Sequence, residues 1–311
     1  MSDRVAVAVV GATATGKSAL AHAFARRHPD CEVVAADAMA VYRDMDLATA
    51  KPTPAQRAEV RYHVIDVVDP AETFTVAAWQ ASARAALDDV WARGGRALVV
   101  GGTGLYVRAL VDGLTFPGQF RALRAELEER AARGEDLAAL LASTDPQAAA
   151  AIEPTNARRL VRALEVTLGS GRPFSSYGPG MSTYGAPRLR QVGLRVPLAE
   201  LDARIEERLH AWVAAGLVQE VRELAARPGG LSATARQAVG YRELLDWLVA
   251  GGELDVAVAA AVAASRRLAR RQVRWFARDP RIEWFDDPDA AAARLEILVN
   301  DPEGSVRDWD A

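Results

Sequence analysis

The stretch GATATGKS at residues 11–18 constrains the fold more than any other part of this sequence. It follows an unbroken apolar run, residues 5–10, which is typical of a strand buried on both faces, and it precedes a helical pattern over residues 18–27. Glycines at this spacing let backbone N–H groups turn inward around an anion, and the following helix adds the positive end of its dipole. We therefore predict a phosphate-binding loop in which Lys17 reaches the outer phosphates and Ser18 is a candidate ligand of Mg²⁺.

Two more short apolar runs continue this pattern along the chain. Residues 32–36 end at Asp37, and residues 96–100 end in GGTG, with helix-like sequence at 76–93 between them. Alternating strands and helices predict an α/β fold, here a P-loop NTPase-like parallel sheet flanked by helices. Ligands of such sheets bind at the carboxyl ends of the strands, so the loop, Asp37 and GGTG (101–104) are expected to share one crevice.

The domain organisation follows from where the strand signals stop. Of the 311 residues, those after Pro117 read as short helices to about residue 170, a strand pattern returns near 189–196, and helical sequence then runs to about Arg278. One more helix is expected around residues 290–299, followed by a solvated tail. We therefore predict an α/β core with C-terminal helices, formed by residues 1–117 and 188–311, and a helical insertion domain at 118–187.

Composition excludes some kinds of site and favours one cellular location. The one cysteine, Cys31, excludes an intramolecular disulfide and a cysteine metal cluster, as is usual in a reducing compartment. We find no uncharged apolar stretch of about 18 residues, so we predict no membrane span and a cytoplasmic location.

Positive charge is concentrated in one segment even though the net charge is −3. Between Ser265 and Arg278 there are six arginines and no acidic residue. Four of them follow steps of three and four residues and so lie on one helix face: Arg267, Arg271, Arg274 and Arg278. Such a face is either simply solvated or binds a polyphosphate or an RNA backbone.

The loop does not reveal the reaction, because kinases, nucleotide hydrolases and transferases with a diphosphate leaving group all need the same cradle. Asp37, at a strand end, is a candidate general base, and the less favoured alternatives are a helix cap or a position in the second shell of Mg²⁺. Asp66 and Asp69 are competing carboxylates that look more like strand-end and turn residues. The glycines of GGTGLY at 101–106 permit either close approach of a ligand or a tight turn.

Strings throughout the chain resemble the tRNA dimethylallyltransferases, in the order found in that family. They are DAMAVYRDMDLATAKP at 37–52, HVIDVVDP at 63–70, GGTGLY, RRLVRALEV at 158–166, QAVGYRE at 237–243 and RRLARRQVRWF at 266–276. Together with the loop they cover the chain from about Val5 to Arg278, and apart from the loop they are specific to the family.

The resemblance implies an activity and assigns roles to residues. The family transfers a dimethylallyl group from dimethylallyl diphosphate to the exocyclic amine of the adenosine on the 3′ side of the anticodon in tRNA, and diphosphate leaves. By resemblance, Asp37 is the general base, Arg208 and Lys17 neutralise the leaving group, and Mg²⁺ lies on Ser18. The residues implied in diphosphate binding are Gly11, Ala12, Thr13, Ala14, Thr15, Gly16, Lys17, Ser18 and Arg208, and Thr13 is counted with the catalytic residues.

The same resemblance implies a tRNA anticodon stem-loop as partner, with the target base splayed out into a channel. The residues matching tRNA contacts of the family are Asp37, Ala38, Met39, Ala40, Thr103, Arg121, Arg158, Arg159, Leu160, Val161, Arg162, Gln237, Ala238, Val239, Gly240, Tyr241 and Arg242. The insertion would clamp the anticodon stem, and we expect a monomer. The family usually has serine and often glutamine where this chain has Ala38 and Ala40, which predicts weaker recognition of the base by hydrogen bonds.

Three other functions fit parts of the sequence. An adenylate isopentenyltransferase would use the same loop and donor on free adenine nucleotides, but it needs no long basic surface. A small-molecule kinase would bind ATP in residues 11–18. A noncatalytic RNA-binding NTPase module would bind tRNA and transfer nothing.

Overall fold

The structure of the protein is a computed structural model that describes residues 4–178, 183–300 and 306. The chain divides into two compact units, residues 1–113 with 186–311, and residues 114–185. The limits of the second unit lie within a few residues of the insertion expected at 118–187. Most of the expected C-terminal tail lies outside the described residues.

The first unit is built on one sheet of six strands whose neighbours all pair in parallel. The spatial order is β3-β2-β4-β1-β5-β6. The strands are β1 (Ala6–Val10), β2 (Cys31–Ala35), β3 (Tyr62–His63), β4 (Arg96–Gly101), β5 (Arg190–Leu194) and β6 (Ile282–Phe285). The α/β fold class predicted from the sequence is confirmed.

The central strand explains why the first apolar run contains no polar residue. All five residues of β1 are buried, because β4 and β5 pair with its two edges and helices cover both faces of the sheet. On one face, Val7 and Val9 join an apolar cluster with Phe24 of helix α1 (Lys17–Arg27) and Leu295 of helix α13 (Pro288–Asn300). This packing fixes the end of β1, where the glycine-rich loop begins.

Helices of the first unit surround the sheet. They are α1 (Lys17–Arg27), α2 (Pro54–Glu59), α3 (Val76–Ala92), α4 (Gly104–Val111), α9 (Leu198–Ala214), α10 (Leu217–Ala226), α11 (Tyr241–Ala250), α12 (Leu254–Phe276) and α13 (Pro288–Asn300). Two tryptophans of α3 join it to the sheet: Trp79 Nε1 donates to Ala35 O at 2.9 Å, and Trp91 Nε1 donates to Val5 O at 3.0 Å.

The second unit is helical where it is described. It contains α5 (Arg121–Ala132), α6 (Leu137–Thr144), α7 (Pro146–Ala151), α8 (Ala157–Ser170) and a 3₁₀ turn at Phe174–Tyr177. Its core includes the fully buried Leu127, Leu141 and Leu164. Asp145 is buried and caps α7 by accepting from the Ala148 N–H at 3.0 Å, while its other oxygen accepts from the Ser175 N–H at 2.8 Å.

The sequence located four of the six strands and missed two. The strands β3 and β6 were not expected, because the first has only two residues and the second has three half-buried residues out of four. The helix expected around residues 290–299 is present as α13. In the described part of the chain, no helix is both long and apolar enough to cross a membrane.

Candidate active site

The loop after β1 adopts a conformation that requires two of its glycines. Gly11 has φ 153° and Gly16 has φ 93°, and a Cβ on Gly11 would lie 2.8 Å from the carbonyl oxygen of Leu194 on β5. Ala14 also lies in the left-handed region, at φ 65°. The chain therefore turns sharply from β1 into α1, and α1 begins at Lys17 directly behind the loop.

The carbonyl oxygen of Ala12 ties the loop together. It accepts hydrogen bonds from Thr15 Oγ1 at 3.0 Å and from Lys17 Nζ at 3.1 Å. Thr15 and Ala12 are buried, whereas Ser18 is exposed on the first turn of α1, and its hydroxyl has no hydrogen-bond partner among the described residues. Thr15 is therefore a structural residue of the loop, and Ser18 is free to bind an ion or phosphate.

Lys17 is half-buried, and its environment weakens its hold on the proton. Burial of the ammonium lowers the pKa of Lys17 to about 8; the carboxylate of Asp37 raises this pKa and the guanidinium of Arg208 lowers it. These opposing effects place Lys17, Asp37 and Arg208 in one electrostatic cluster. This cluster holds two cations and one carboxylate, and a bound diphosphate would supply further negative charge to balance them.

Arg208 reaches the loop from α9. Its Nη2 donates a hydrogen bond of 2.6 Å to Thr13 Oγ1, and its guanidinium carbon lies 4.7 Å from the centre of the Trp212 ring. Burial lowers the pKa of Arg208 to about 10, while Asp37 opposes this effect. The Nε atom is buried without a hydrogen-bond partner among the described residues. Arg208, which the sequence alone would place on a helix surface, is held against the phosphate loop with unused hydrogen-bonding capacity.

Asp37 follows β2 and is half-buried. One carboxylate oxygen, Oδ1, accepts from the backbone N–H of Met39 at 2.8 Å and of Ala40 at 3.2 Å. The described residues show no side-chain hydrogen bond to the other oxygen, Oδ2. The turn therefore orients the carboxylate by one oxygen and leaves the other available to accept a proton. No α-helix starts in this turn, so Asp37 does not cap one.

The two competing aspartates have structural roles. Asp66 accepts from Lys51 Nζ at 2.5 Å and from Arg57 Nη1 at 2.6 Å, and these cations hold the pKa of its carboxyl below its usual range although burial opposes them. Asp69 Oδ1 accepts from the Ala71 N–H at 2.9 Å, in a turn that contains Pro70. The strand-end and turn roles expected for these residues agree with these contacts.

The glycines of GGTG are needed for packing against protein. A Cβ on Gly101 would lie 2.0 Å from Ala36 O, and one on Gly104 would lie 2.0 Å from Trp275 Nε1 of α12. Thr103 Oγ1 accepts from the Ala38 N–H at 3.1 Å. Close approach of neighbouring protein segments therefore explains these glycines, and Thr103 links the turn after β4 to the turn that holds Asp37.

One residue of this region was missed by the sequence reasoning. Gln272 of α12 accepts from the Thr13 N–H at 2.8 Å and donates to Gly102 O at 2.9 Å. Within residues 266–278 it is the one neutral side chain that carries both a donor and an acceptor. That contrast with the surrounding arginines was the available signal.

The arginines of α12 divide into two sets. Arg266 and Arg270 turn toward α9, where Arg266 pairs with Glu206 at 2.6 Å and Arg270 binds both oxygens of Asp202. Of the four arginines predicted to share one helix face, Arg267, Arg271 and Arg274 lie on α12, whereas Arg278 lies beyond the end of this helix at Phe276, so its placement on that face was wrong. The side chains of all four are exposed and make no ion pair or hydrogen bond with the described residues. The second set forms a cationic surface next to the helix turn that carries Gln272.

The segment 237–242 is largely buried in the first unit. Gln237 is exposed, Ala238 and Gly240 are buried, and Val239 is half-buried. Tyr241 is fully buried and its hydroxyl donates to Glu220, while Arg242 binds the neighbouring Glu243 at 2.5 Å. Gln237 is therefore the most accessible side chain of this predicted tRNA-contact segment.

In the second unit, the predicted contact residues differ in exposure. Arg121 at the start of α5 and the arginines Arg158 and Arg159 at the start of α8 are exposed. Leu160 and Val161 are buried in the core of this unit. Arg162 donates to the carbonyl oxygens of Pro117 and Gly118, at 2.9 and 3.1 Å, and pairs with the buried Glu165. The side chains that this segment offers to a partner are mainly Arg158 and Arg159.

Comparison with known proteins identifies the family. A family model described as IPP transferase matches residues 40–279. The tRNA dimethylallyltransferase of Kineococcus radiotolerans is 52% identical over 292 residues, which are 92% of this chain and 92% of that protein. The crystal structure of the full-length tRNA isopentenylpyrophosphate transferase from Bacillus halodurans is similar with a TM-score of 0.67 and 35% identity, over 94% of each chain.

A third comparison extends the likeness in fold. A eukaryotic dimethylallyltransferase acting on tRNA matches 94% of this chain and 78% of its own with a TM-score of 0.77, at 24% identity. The family model covers most of the sequence and the relatives are similar along nearly its whole length. This chain belongs to the IPP transferase family.

Proposed function

We propose that this protein transfers a dimethylallyl group from dimethylallyl diphosphate to the N6 amine of the adenosine 3′ of the anticodon in tRNA, with release of diphosphate. The relatives in the family are named tRNA dimethylallyltransferases, and that name supports this reaction. The observation that carries the proposal is the cluster of Lys17, Asp37 and Arg208 at one phosphate loop. It combines cations for a leaving group with a carboxylate for an incoming nucleophile.

The loop stabilises the leaving group in this reaction. As the bond between the allylic carbon and the diphosphate oxygen breaks, negative charge builds up on the diphosphate. Backbone N–H groups at the start of α1, the Lys17 ammonium and the Arg208 guanidinium are oriented before the reaction starts, so their stabilisation costs little reorganisation. The partnerless Nε of Arg208 and the raised acidity of Lys17 support this role, since both groups gain from a bound anion.

Asp37 acts on the nucleophile. The N6 amine of adenine attacks the allylic carbon, a new N–C bond forms, and one N6 proton passes to the free oxygen of the Asp37 carboxylate. The Met39 and Ala40 amides hold the other oxygen and so fix the direction from which Asp37 approaches the base. Thr103 fixes the Ala38 amide beside it and keeps this turn in place.

Magnesium fits the loop as an ion shared with the substrate. The Ser18 hydroxyl is exposed and without a partner among the described residues, at the position where the helix after the loop begins. No group of three or more His, Cys, Asp or Glu side chains in the described chain could hold a metal ion by itself. Ser18 together with diphosphate oxygens would hold Mg²⁺, which neutralises charge on the leaving group.

A tRNA anticodon stem-loop is the acceptor in this proposal. The exposed arginines of α12 supply phosphate contacts, and within the second unit Arg121, Arg158 and Arg159 are exposed in the same way. The family relatives act on tRNA according to their names, and a free adenine nucleotide would leave these cationic surfaces without a function. The reaction is assigned to the cytoplasm and to a single copy of the chain as part of the same proposal.

The decisive experiment supplies labelled dimethylallyl diphosphate and Mg²⁺ together with one of three acceptors. These are an unmodified anticodon stem-loop, the same RNA with guanosine in place of the target adenosine, and AMP. We expect label in the adenosine RNA only. Label in AMP but not in RNA would establish an adenylate isopentenyltransferase instead.

Competition for the loop separates the remaining alternatives. Dimethylallyl diphosphate is expected to displace inorganic diphosphate from the protein, and ATP is expected to compete weakly. If ATP bound far more tightly and its γ-phosphate were transferred to a small molecule, the protein would be a kinase. If RNA bound and no group were transferred, it would be a binding module.

A further inference from the structure

Gln272 joins the two strand ends between which the proposed diphosphate site lies. Its side-chain oxygen accepts from the backbone N–H of Thr13, in the loop after β1, at 2.8 Å. Its side-chain nitrogen donates to the carbonyl oxygen of Gly102, after β4, at 2.9 Å. Strands β1 and β4 are neighbours in the sheet, so one carboxamide bridges the two loops at their carboxyl ends.

The surroundings of Gln272 are shaped to place its carboxamide there. A Cβ on Gly102 would lie 2.6 Å from the Gln272 nitrogen, so a larger residue would push the amide away. One turn further along α12, Trp275 lies so close to Gly104 that a Cβ would not fit between them. The contact between α12 and the turn after β4 is therefore close enough to fix the position of the amide.

Thr13 connects the Gln272 bridge to Arg208, the cation proposed to stabilise the leaving group. Its N–H is bound by Gln272 and its hydroxyl by Arg208. Backbone and side chain of this one loop residue are thus held from two different helices, α12 and α9. A change at Gln272 frees the backbone of Thr13 and, with it, the partner that orients Arg208.

We infer that Gln272 is a positioning residue of the transfer reaction, which holds the diphosphate loop in its anion-binding shape by bridging Thr13 and Gly102. This inference rests on the proposed function of the loop. Gln272 is half-buried with its carboxamide engaged by Thr13 and Gly102, whereas Arg267, Arg271 and Arg274 of the same helix are exposed. A change at Gln272 should therefore alter binding of the diphosphate donor and leave RNA affinity unchanged.

The first test replaces the amide by a side chain of similar length without hydrogen-bonding groups. Gln272→Met is expected to weaken binding of inorganic diphosphate and to raise the KM for dimethylallyl diphosphate by about tenfold, the loss of one to two net hydrogen bonds. Affinity for the anticodon stem-loop is expected to stay unchanged. Gln219→Met is the matched control, because Gln219 is exposed on α10 and, among the described residues, its side chain bonds only to Glu223, at 2.9 Å.

The second test uses a variant that can restore the bridge. In Gln272→Glu an ionised carboxylate accepts from Thr13 but repels the Gly102 carbonyl, whereas the protonated carboxyl both accepts and donates as the amide does. The donor KM of this variant, relative to wild type at each pH, is therefore expected to improve as the pH falls from about 7 to about 5, toward the ordinary pKa of a glutamic acid. A mere packing role for Gln272 would give the same ratio at every pH.

The outcomes separate this inference from the proposed function. Diphosphate affinity is measured by calorimetry without any acceptor, so it tests the loop even if wild-type protein transfers no prenyl group to RNA. Unchanged diphosphate affinity in Gln272→Met, in a protein that is folded by circular dichroism, would overturn the positioning role. A parallel loss of RNA affinity would overturn it as well, since the effect would then lie in α12 as a whole.

Discussion

Arg208 on α9 donates a hydrogen bond of 2.6 Å to the hydroxyl of Thr13, a residue 195 positions earlier in the chain. This contact brings a helix of the C-terminal half against the phosphate loop of the first strand. The guanidinium also stacks on Trp212, and this contact restricts its orientation. The loop thus acquires a planar cation that its own sequence does not contain.

The first prediction concerns the geometry of that cation. Arg208→Lys keeps the charge but loses the planar fork, so a lysine would reach Thr13 or the diphosphate but not both. We expect kcat for prenyl transfer to fall by about 10²- to 10³-fold, the usual loss for one preorganised donor. Single-turnover rates with saturating donor measure this effect.

The control for this prediction is another arginine stacked on a tryptophan. Arg222 of α10 lies 5.7 Å from the centre of the Trp247 ring of α11, and it is exposed. Arg222→Lys is expected to leave kcat within about twofold of wild type, as surface substitutions usually do. Equal losses in the two variants would mean that arginine stacking matters for folding and not for transfer.

The second prediction tests Asp37 as the base. Asp37→Asn preserves an oxygen that accepts from the Met39 and Ala40 amides, so the turn is expected to remain intact. Loss of the basic oxygen is expected to lower the transfer rate by about 10²- to 10⁴-fold with RNA affinity unchanged. Asp69→Asn is the control, since Asp69 also accepts from the backbone in a turn. Similar rates for wild type and Asp37→Asn would remove Asp37 from the base role.

The third prediction is a pH dependence of donor binding. The pKa of Lys17 is lowered to about 8 by burial, and a bound diphosphate stabilises the charged ammonium and raises this pKa. Below pH 8 the lysine is already protonated, so donor affinity is constant. Above pH 8 the free protein loses the proton, and the dissociation constant is expected to rise by up to tenfold per pH unit.

Calorimetry in buffers of different ionisation enthalpy checks the same prediction, because binding above pH 8 must take up a proton. The donor contributes little to this change, since a phosphate group titrates near pH 6 and is almost fully ionised at pH 8. Lys17→Met is expected to bind more weakly at all pH values and to show no further loss above pH 8. A wild-type affinity that is flat from pH 7 to pH 9 would contradict the assigned role of Lys17.

Local sequence predicted the parts of the site that follow buried strands. The loop, Asp37 and GGTG each follow a short apolar run, and parallel pairing brings these runs together at one edge of the sheet. Residues that arrive from surface helices were harder to recognise. Arg208 has acidic neighbours in sequence and reads as a helix-surface residue without the family resemblance, and only the packing of α9 shows that it meets Thr13.

The same limit applies to glycines and edge strands. In the sequence, GGTG permits either a ligand or a turn, and the choice depends on how closely Ala36 and Trp275 approach. The edge strand β6 pairs with β5 alone, and three of its four residues are half-buried. Its pattern is set by tertiary contacts, so periodicity could not identify it.

The fourth prediction concerns the stability of the turn after β4. A Cβ added by Gly101→Ala would lie 2.0 Å from Ala36 O, on the backbone of the neighbouring strand end, which cannot move aside as a flexible side chain would. We expect the free energy of unfolding to fall by about 1–3 kcal/mol or more, the usual cost of overpacking. Urea denaturation measures it. Gly118→Ala is the control, because its nearest atom would be Phe120 Cζ at 3.8 Å, an ordinary contact, and equal stabilities would contradict the close packing.

The last prediction distinguishes the two interpretations of the arginines on α12. Arg271 and Arg274 are exposed and without ion pairs among the described residues, whereas Arg266 and Arg270 are held by acids of α9. If the exposed pair binds RNA phosphates, each contact releases counterions when RNA binds. Replacing both by glutamine is expected to weaken binding of the anticodon stem-loop, and to reduce the slope of log Kd against log salt by about one per arginine.

Arg26→Gln is the matched control for this measurement. Arg26 is also an exposed arginine without an ion pair among the described residues, but it lies in the last turn of α1, at the end of that helix away from the loop. Loss of a charge there changes only the net charge of the protein, so the salt slope is expected to stay near that of wild type. A simply solvated face on α12 would make the double variant behave as Arg26→Gln does. A reduced slope in the double variant alone would therefore assign this helix face to the RNA backbone.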